Sequence, residues 1–405
     1  EQSRTDGSET SAEDLKHGIA RLRAEQARFL NREGRYDEAI YAARTAISLS
    51  SGSDGKGEAV RAEASAYLQW GRALLRQGAY AESEMQLNRA LVLCGLLPLQ
   101  RVKVDCMRSL GNAYHGRGDY ASASDCYQKA LSISRELGDE RSEGMLLASI
   151  GLAAHQQGLY GEARAYYERA LAISRDKGDR WSESLALINL GYILDQHGAY
   201  AAAETRYRQC LEIAQGTGDR QSESMALSCL GLLFHHLGDD QTASGFSERA
   251  VEMAQAIGAR RVQGYALTRF GHSLLELGCV RAAKAAYRQA VDIRQELGAR
   301  GRLLESRAGL VRALLAQDDL AEANREVEDI LSKLPTSSLN DTDEPLRIRL
   351  TCYRALRASE DPRAASMIEE AHQRLQQRAA SIADRDLRHS FLENVAAHRE
   401  IAEAY

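Results

Sequence analysis

The amino-acid sequence predicts an all-α protein: a right-handed α-solenoid of about seven helical hairpins, with further helices capping its C-terminal end. Three observations predict it. The phrase "SLGNAYHGRGDYASASDCYQKALSISRELGD", starting at Ser109, returns forty residues later as "SIGLAAHQQGLYGEARAYYERALAISRDKGD" and again as "NLGYILDQHGAYAAAETRYRQCLEIAQGTGD". A fixed period of this length is the mark of stacked repeats. Only 4 prolines interrupt 405 residues, so long helices run unopposed. Each period also carries two apolar stripes at helical spacing with a glycine between them.

In chain order, Glu1 to Asp14 is polar and does not begin with Met. Residues 1–14 therefore read as a disordered linker, the edge of a piece of a longer polypeptide. The array occupies 15–334. Trp70-Gly71 recurs as Leu110-Gly111, Ile150-Gly151, Leu190-Gly191, Leu230-Gly231 and Phe270-Gly271. A second glycine follows each pair, at Gly78, Gly118, Gly158, Gly198, Gly238 and Gly278. A small residue comes next, at Ala90, Ala130, Ala170, Cys210, Ala250 and Ala290. Degenerate copies stand upstream, with Gly34, Tyr36 and Ala46, and downstream around Asp318 to Ala323.

Each unit reads as two helices. Leu147, Ile150, Gly151 and Ala154 form one stripe; Ala163, Tyr167, Ala170 and Leu171 form the second after the Gly158 turn. Small residues let the helices approach closely while Tyr167 fills the space between units. Gly178 can end a helix in the left-handed conformation. Asp179 then caps the next helix, with Glu183 near its positive end. Gly138-Asp139 and Gly218-Asp219 repeat that punctuation. One hairpin cannot bury its apolar stripe alone, so neighbours must stack.

These residues resemble the tetratricopeptide repeat: hydrophobe-Gly, then Gly-x-Tyr, then the small Ala. The ordinary unit has 34 residues, and the longer period here is similar to the long-helix variant of kinesin light chains, Pins-type polarity adaptors and bacterial peptide-sensing regulators. The resemblance covers about Leu15 to Leu334. It implies the fold, and a scaffold that serves many ligands.

After the array, residues 335–405 read as a helical cap over an exposed end face. "KLPTSSLNDTDEP", Lys333 to Pro345, is a loop. Helices follow over Leu346 to Ala358, Arg363 to about Ala383, and from Asp384 to the end. The wording "DEPLR", "CYRAL", "DPRA" and "LRHSFLENV" resembles the C-terminal end of large bacterial signalling proteins. In those, an NTPase of the STAND class, or a cyclase or DNA-binding module, precedes such an array. That resemblance implies an upstream NTPase or effector domain in the same polypeptide.

Composition excludes other classes. The net charge of −5 argues for neither nucleic acid nor membrane partners. No apolar run approaches a membrane span. The 7 cysteines are scattered, which suits reduced thiols in a cytoplasmic protein better than a disulfide frame. "GSDGKGE", Gly52 to Glu58, has the wrong glycine spacing for a phosphate loop and reads as a flexible insertion. His115, His155 and His235, with Asp195 completing the column, stand about 10 Å apart by helix packing, too far to share a metal. His235-His236 reads as one lining and one outward residue. No nucleophile or zinc-protease context occurs, so neither catalytic residues, nor a metal, nor a cofactor is expected.

In the family the first helix of each unit lines a concave groove. Carried over by position, the early units present Arg28, Arg32, Arg72, Arg76, Arg108, Asn112 and His115. The middle units present Met145, Ala148, Leu152 and His155, then Leu185, Ile188, Tyr192 and Asp195, then Met225, Leu232 and His235. The late ones offer Tyr265, Thr268, His272 and Arg312. The middle of this wall is apolar where a solvated face would be polar. Either a partner covers it, or tight curl buries it against adjacent units. Arginines at one end would suit a carboxylate, though the Lys/Asn/Asn/Lys/Arg order of the chaperone-binding clamp is not met. The expected ligand is a protein, a peptide or a small molecule held in the groove of a sensor arm. The alternative is a freestanding adaptor that joins two proteins.

Overall fold

The structure, a computed structural model, describes residues 2–50, 57–334, 339 and 342–405. Among them every regular element is a helix. The chain divides into two compact units, 1–153 and 154–405. In the first, α1 (Gln2–Arg32) packs with α2 (Tyr36–Ser50), α3 (Gly57–Arg76) with α4 (Tyr80–Leu96), and α5 (Gln100–Gly116) with α6 (Tyr120–Glu136). The boundary falls inside α7 (Glu140–Gln156).

The second unit continues with α8 (Tyr160–Asp176), α9 (Arg180–Gln196), α10 (Tyr200–Thr217), α11 (Arg220–His236), α12 (Asp240–Ala256), α13 (Arg260–Glu276) and α14 (Val280–Glu296). It ends with α15 (Arg300–Leu315), α16 (Leu320–Lys333), α17 (Pro345–Ala358), α18 (Arg363–Ser381), α19 (Arg385–Glu393) and α20 (Ala396–Ala404). Consecutive helices pack side by side, as an α-solenoid requires.

The punctuation works as the residues predict. Gly178 sits at φ +62°, and behind it the Asp179 N–H donates to the Ser174 carbonyl at 2.9 Å. The Asp179 carboxylate then accepts from the Ser182 N–H at 3.2 Å and starts α9. In the last copy Asp318 takes the left-handed position at φ 59°, which Asp tolerates better than most residues. Close approach explains the glycine of the first helix: a Cβ on Gly111 would lie 2.4 Å from the Tyr127 ring, and one on Gly191 2.5 Å from that of Tyr207. Tyr127, Tyr167, Tyr207 and Tyr287 are sealed in these seats.

Several expectations are corrected. Gln2 to Asp14 is not a linker but the first part of α1. This stretch has no proline and one glycine, so nothing stops the helix spreading upstream from its Ala20/Ala24/Ala27 stripe. The last predicted helix is two, because Val395 is extended at ψ 112° and the Asn394 side chain donates to the Gly198 carbonyl instead of continuing the turn. The tail, for its part, packs on the end of the array. One apolar cluster runs from Ala283 and Tyr287 through Leu350 and Leu375 to Phe391 and Ile401. Of the stretch Gly52 to Glu58, only Gly57 and Glu58 lie within the described residues, at the start of α3.

Candidate functional site

Within residues 154–405 the inner wall is lined by α9, α11, α13 and α15, the first helices of successive pairs. It holds a stretch of the chain's own backbone, Thr342 to Glu344, just before α17. The Tyr192 hydroxyl donates to the Thr342 carbonyl at 2.9 Å. The Gln196 amide donates to the carbonyls of Thr342 at 3.2 Å and Asp343 at 3.0 Å. From the opposite side Glu305 accepts from the backbone N–H groups of Asp343 at 2.7 Å and Glu344 at 3.2 Å. Carbonyls and N–H groups of this bent segment are thereby satisfied, as buried backbone requires, and the Thr342 N–H donates to the Leu339 carbonyl at 3.1 Å.

Charge fixes the side chains. The Asp343 carboxylate accepts from Arg269 Nε at 2.9 Å and from Arg302. Arg269 also donates to Ser228 Oγ at 2.9 Å. Three guanidiniums surround the Tyr265 ring, Arg302 at 4.6 Å, Arg294 at 4.9 Å and Arg269 at 5.5 Å from its centre. Burial opposes the charge on Asp343, yet Arg269 and Arg302 outweigh it and hold the carboxyl below its usual range. Glu305 has fewer cations and is raised to about 7, first by burial and then by Asp343.

Glu344 lies in a ring of basic groups. Arg347 donates to it at 2.8 Å, and His236 Nε2 and His272 Nε2 lie 3.4 Å and 4.0 Å from its oxygens. His236 bonds Asp195 through Nδ1 at 2.8 Å. His235 bonds Asp240 at 2.7 Å and faces Arg347 at 3.1 Å. The tail helices close the far side: Arg378 donates to the Tyr160 hydroxyl, and Asn394 Nδ2 to the Gly198 carbonyl at 3.0 Å. Between them remains a cavity of ≈ 30 Å³ lined by Asp195, His236, Glu344, Arg347 and His398, room for about one water.

Of the middle residues of the predicted wall, His155, Tyr192, Asp195 and His235 meet here, while Ile188 and Met225 pack against Tyr207 and Leu230 of the repeats. His155 is buried, with its Nε2 3.2 Å from Gln196 and its ring against Tyr160 and Tyr192. Tyr192 and Asp195 hold the tail and His236, and His235 is buried beside Arg347. Leu232 is buried, Ile188 and Met225 are half-buried, and Leu185 is exposed. In the first unit, Arg72 and Arg108 share Asp105, the latter at 3.1 Å. Asn112 accepts from the Tyr127 hydroxyl at 2.7 Å. His115 is half-buried against Tyr120, while Met145, Ala148 and Leu152 are half-buried.

His236 is not outward as expected; it is covered because Glu344 and the tail reach across the end of α11. Sequence reasoning also missed Gln196, Arg269, Arg302 and Glu305. A signal existed for Arg269: its column otherwise reads Gln69, Ser109, Ser149, Asn189, Cys229 and Gly309, none of them charged, so an arginine stands out. Among the described residues no group of three His, Cys, Asp or Glu side chains is placed to hold a metal ion. No helix among them is long and apolar enough to cross a membrane.

Two segments, 62–136 and 142–216, match the family model of the tetratricopeptide repeat. Over those residues the chain is similar to tetratricopeptide repeats. Among solved structures, a Rap protein complexed with competence and sporulation factor is 14% identical at a TM-score of 0.58, the match covering 96% of this chain and 98% of that one. NprR in complex with its cognate peptide NprX is 13% identical at 0.51, covering 94% and 96%. Aspartyl phosphate phosphatase F from Bacillus subtilis is 11% identical at 0.58, covering 78% and 94%. At these identities the likeness is one of fold. No curated protein matches the chain.

Proposed function

We propose that this tetratricopeptide array is a peptide- or protein-binding regulatory module that clamps a short peptide segment on the inner wall of residues 154–405. One observation carries this reading. Tyr192, Gln196 and Glu305 hold the backbone of Thr342–Glu344 by its carbonyls and N–H groups, independent of side-chain identity. Main-chain pairing with charged side-chain seats is a general way for a surface to read a peptide. Two of the proteins that share the fold are complexed with a cognate peptide or with competence and sporulation factor, which agrees with this use of the scaffold. The wall's groups are committed to holding rather than to bond-making, so the module is read as non-catalytic. Free, mostly buried thiols accord with a cytoplasmic setting.

The finer reading makes the array the sensor arm of a bacterial signalling protein, with a STAND-type NTPase elsewhere in the polypeptide. It rests on the wording of the tail, "DEPLR" to "LRHSFLENV". Ligand would act there by favouring one of two states of the arm. The test of the coarser reading is fluorescence anisotropy of the intact chain against a pooled library of labelled peptides. Saturable binding is expected, and Tyr192→Ala should weaken it at least tenfold. Absence of any saturable peptide, or binding indifferent to Tyr192, refutes the wall as the seat.

A further inference from the structure

We infer that the ligand class of this wall is a short acidic peptide, and that Thr342–Glu344 is a tethered stand-in for it. The inference builds on the reading that the wall clamps peptide. Arg269, Arg302 and Glu305 all come from the repeats, on α13 and α15, while the segment they hold comes from the tail. Arg269 and Asp343 side chains are only 3% and 4% exposed. Two guanidiniums buried on an inner wall are unfavourable unless an anion meets them, so the repeats present a seat that demands a carboxylate. Ser228 and Tyr265 further fix the two guanidiniums, which orients the seat from the wall's side alone.

The second acid has its own seat. Glu344 faces His236 and His272, both borne by the repeats, as well as Arg347 of the tail. Two adjacent acids thus meet two adjacent basic sites, while Tyr192 and Gln196 fix the register of the backbone between them. The occupant is tethered, so it competes at the effective concentration of a linked segment, of order millimolar. A free ligand therefore sees its apparent affinity reduced by the fraction of chains whose wall is vacated. Any acidic peptide that binds must displace the segment next to α17, which links occupancy of the wall to the packing of the tail helices.

The experiment uses the intact chain and the labelled peptide LNDTDEPL, the sequence of residues 339–346. Asp343→Asn/Glu344→Gln weakens the tethered copy without altering the seat. This variant is expected to bind the peptide at least tenfold more tightly than the natural chain. A peptide with the acids matching Asp343 and Glu344 amidated should bind it at least tenfold more weakly, and adding Arg302→Met should abolish the gain. Should the double variant not hold its fold, Tyr192→Phe, which loosens the tether without removing charge, serves for the comparison of acidic and amidated peptides. Equal binding of the two peptides overturns the acid preference while leaving the wall a peptide clamp. If neither binds although the pooled library still yields a ligand, Thr342–Glu344 is a structural strut and the inference fails.

Discussion

The hydroxyl of Tyr192 reaches the carbonyl oxygen of Thr342 at 2.9 Å, joining residues 150 positions apart. Gln196, one turn on, donates to the Tyr192 oxygen at 2.8 Å and to the next carbonyl of the same segment. A repeat side chain and a tail backbone group are thus locked at the centre of the inner wall.

Tyr192→Phe keeps the ring and deletes that bond. A hydrogen bond of this kind contributes about 0.5–1.5 kcal/mol net, so a urea titration of the intact chain should show a loss of that size. Hydrogen exchange at the amides of Asp343 and Glu344 should quicken, because the segment's other edge is released. Unchanged exchange there would mean the hydroxyl does not hold the segment.

Arg269 and Asp343 form a buried pair, and removing one partner strands the other. Arg269→Met and Asp343→Asn should each destabilise by about 3–5 kcal/mol. The double variant should lose less than the sum, with a coupling of about 0.5–3 kcal/mol. Arg302 still faces the carboxamide in the double variant, so recovery is incomplete. Strict additivity in chemical denaturation would show that the two side chains do not act as a pair.

Much of this architecture was readable from the residues, since period, glycine and capping aspartate are local signals. Asp179 and Gly178 act where their own neighbours say they should. The apolar middle of the wall read as a face wanting cover, yet Ile188 and Met225 pack against Tyr207 and Leu230 of the repeats, and the tail's contacts come from polar groups. That return of the tail was not legible, because Tyr192 and Thr342 meet only once several repeats have stacked. Family groove positions led to His235 and Asp195 but passed over Arg269 and Glu305, whose meaning depends on where the tail returns. The break at Val395 was hidden for the same reason: Asn394 leaves the helix to bond Gly198, a residue 196 positions away.

Acid should weaken the second unit. Burial lowers His155 to about 3 and His197 and His398 to about 4, and it also lowers His235 and His272. The unfolded chain takes up protons at these histidines near pH 6.5 while the folded one does not, so stability is lost as pH falls from about 6.5 towards 4. Each histidine that stays neutral contributes about 1.4 kcal/mol per pH unit within that window. Glu305 opposes this, because its folded value near 7 lies above its unfolded one, and it adds stability as pH falls through the same range. His236, raised to about 10 against burial by Asp195 and then Glu344, is charged in both states below 6.5, so its contribution is already complete there and stays constant across the interval. Five groups outnumber one, so the thermal midpoint should drop by several degrees between pH 6.5 and 4.5. A midpoint that holds or rises across that interval contradicts the burial of these rings.

Gly198 offers the sharpest test of how the tail is seated. It lies at φ +72°, and a Cβ there would come 2.6 Å from the Ser390 carbonyl oxygen and 2.8 Å from Asn394 Cβ. Gly238 occupies the equivalent turn at φ +80° with nothing within 4 Å of the same position. Gly198→Ala and Gly238→Ala both incur the left-handed penalty of about 1–2 kcal/mol. Only the first also pushes α19 away, which adds about 1–3 kcal/mol of overpacking and breaks the Asn394 bond to the Gly198 carbonyl. The two variants should therefore differ in denaturation midpoint, and hydrogen exchange over residues 390–404 should rise in Gly198→Ala alone. Equal midpoints with equal exchange would place α19 away from this turn, and with it the closure of the inner wall by the tail.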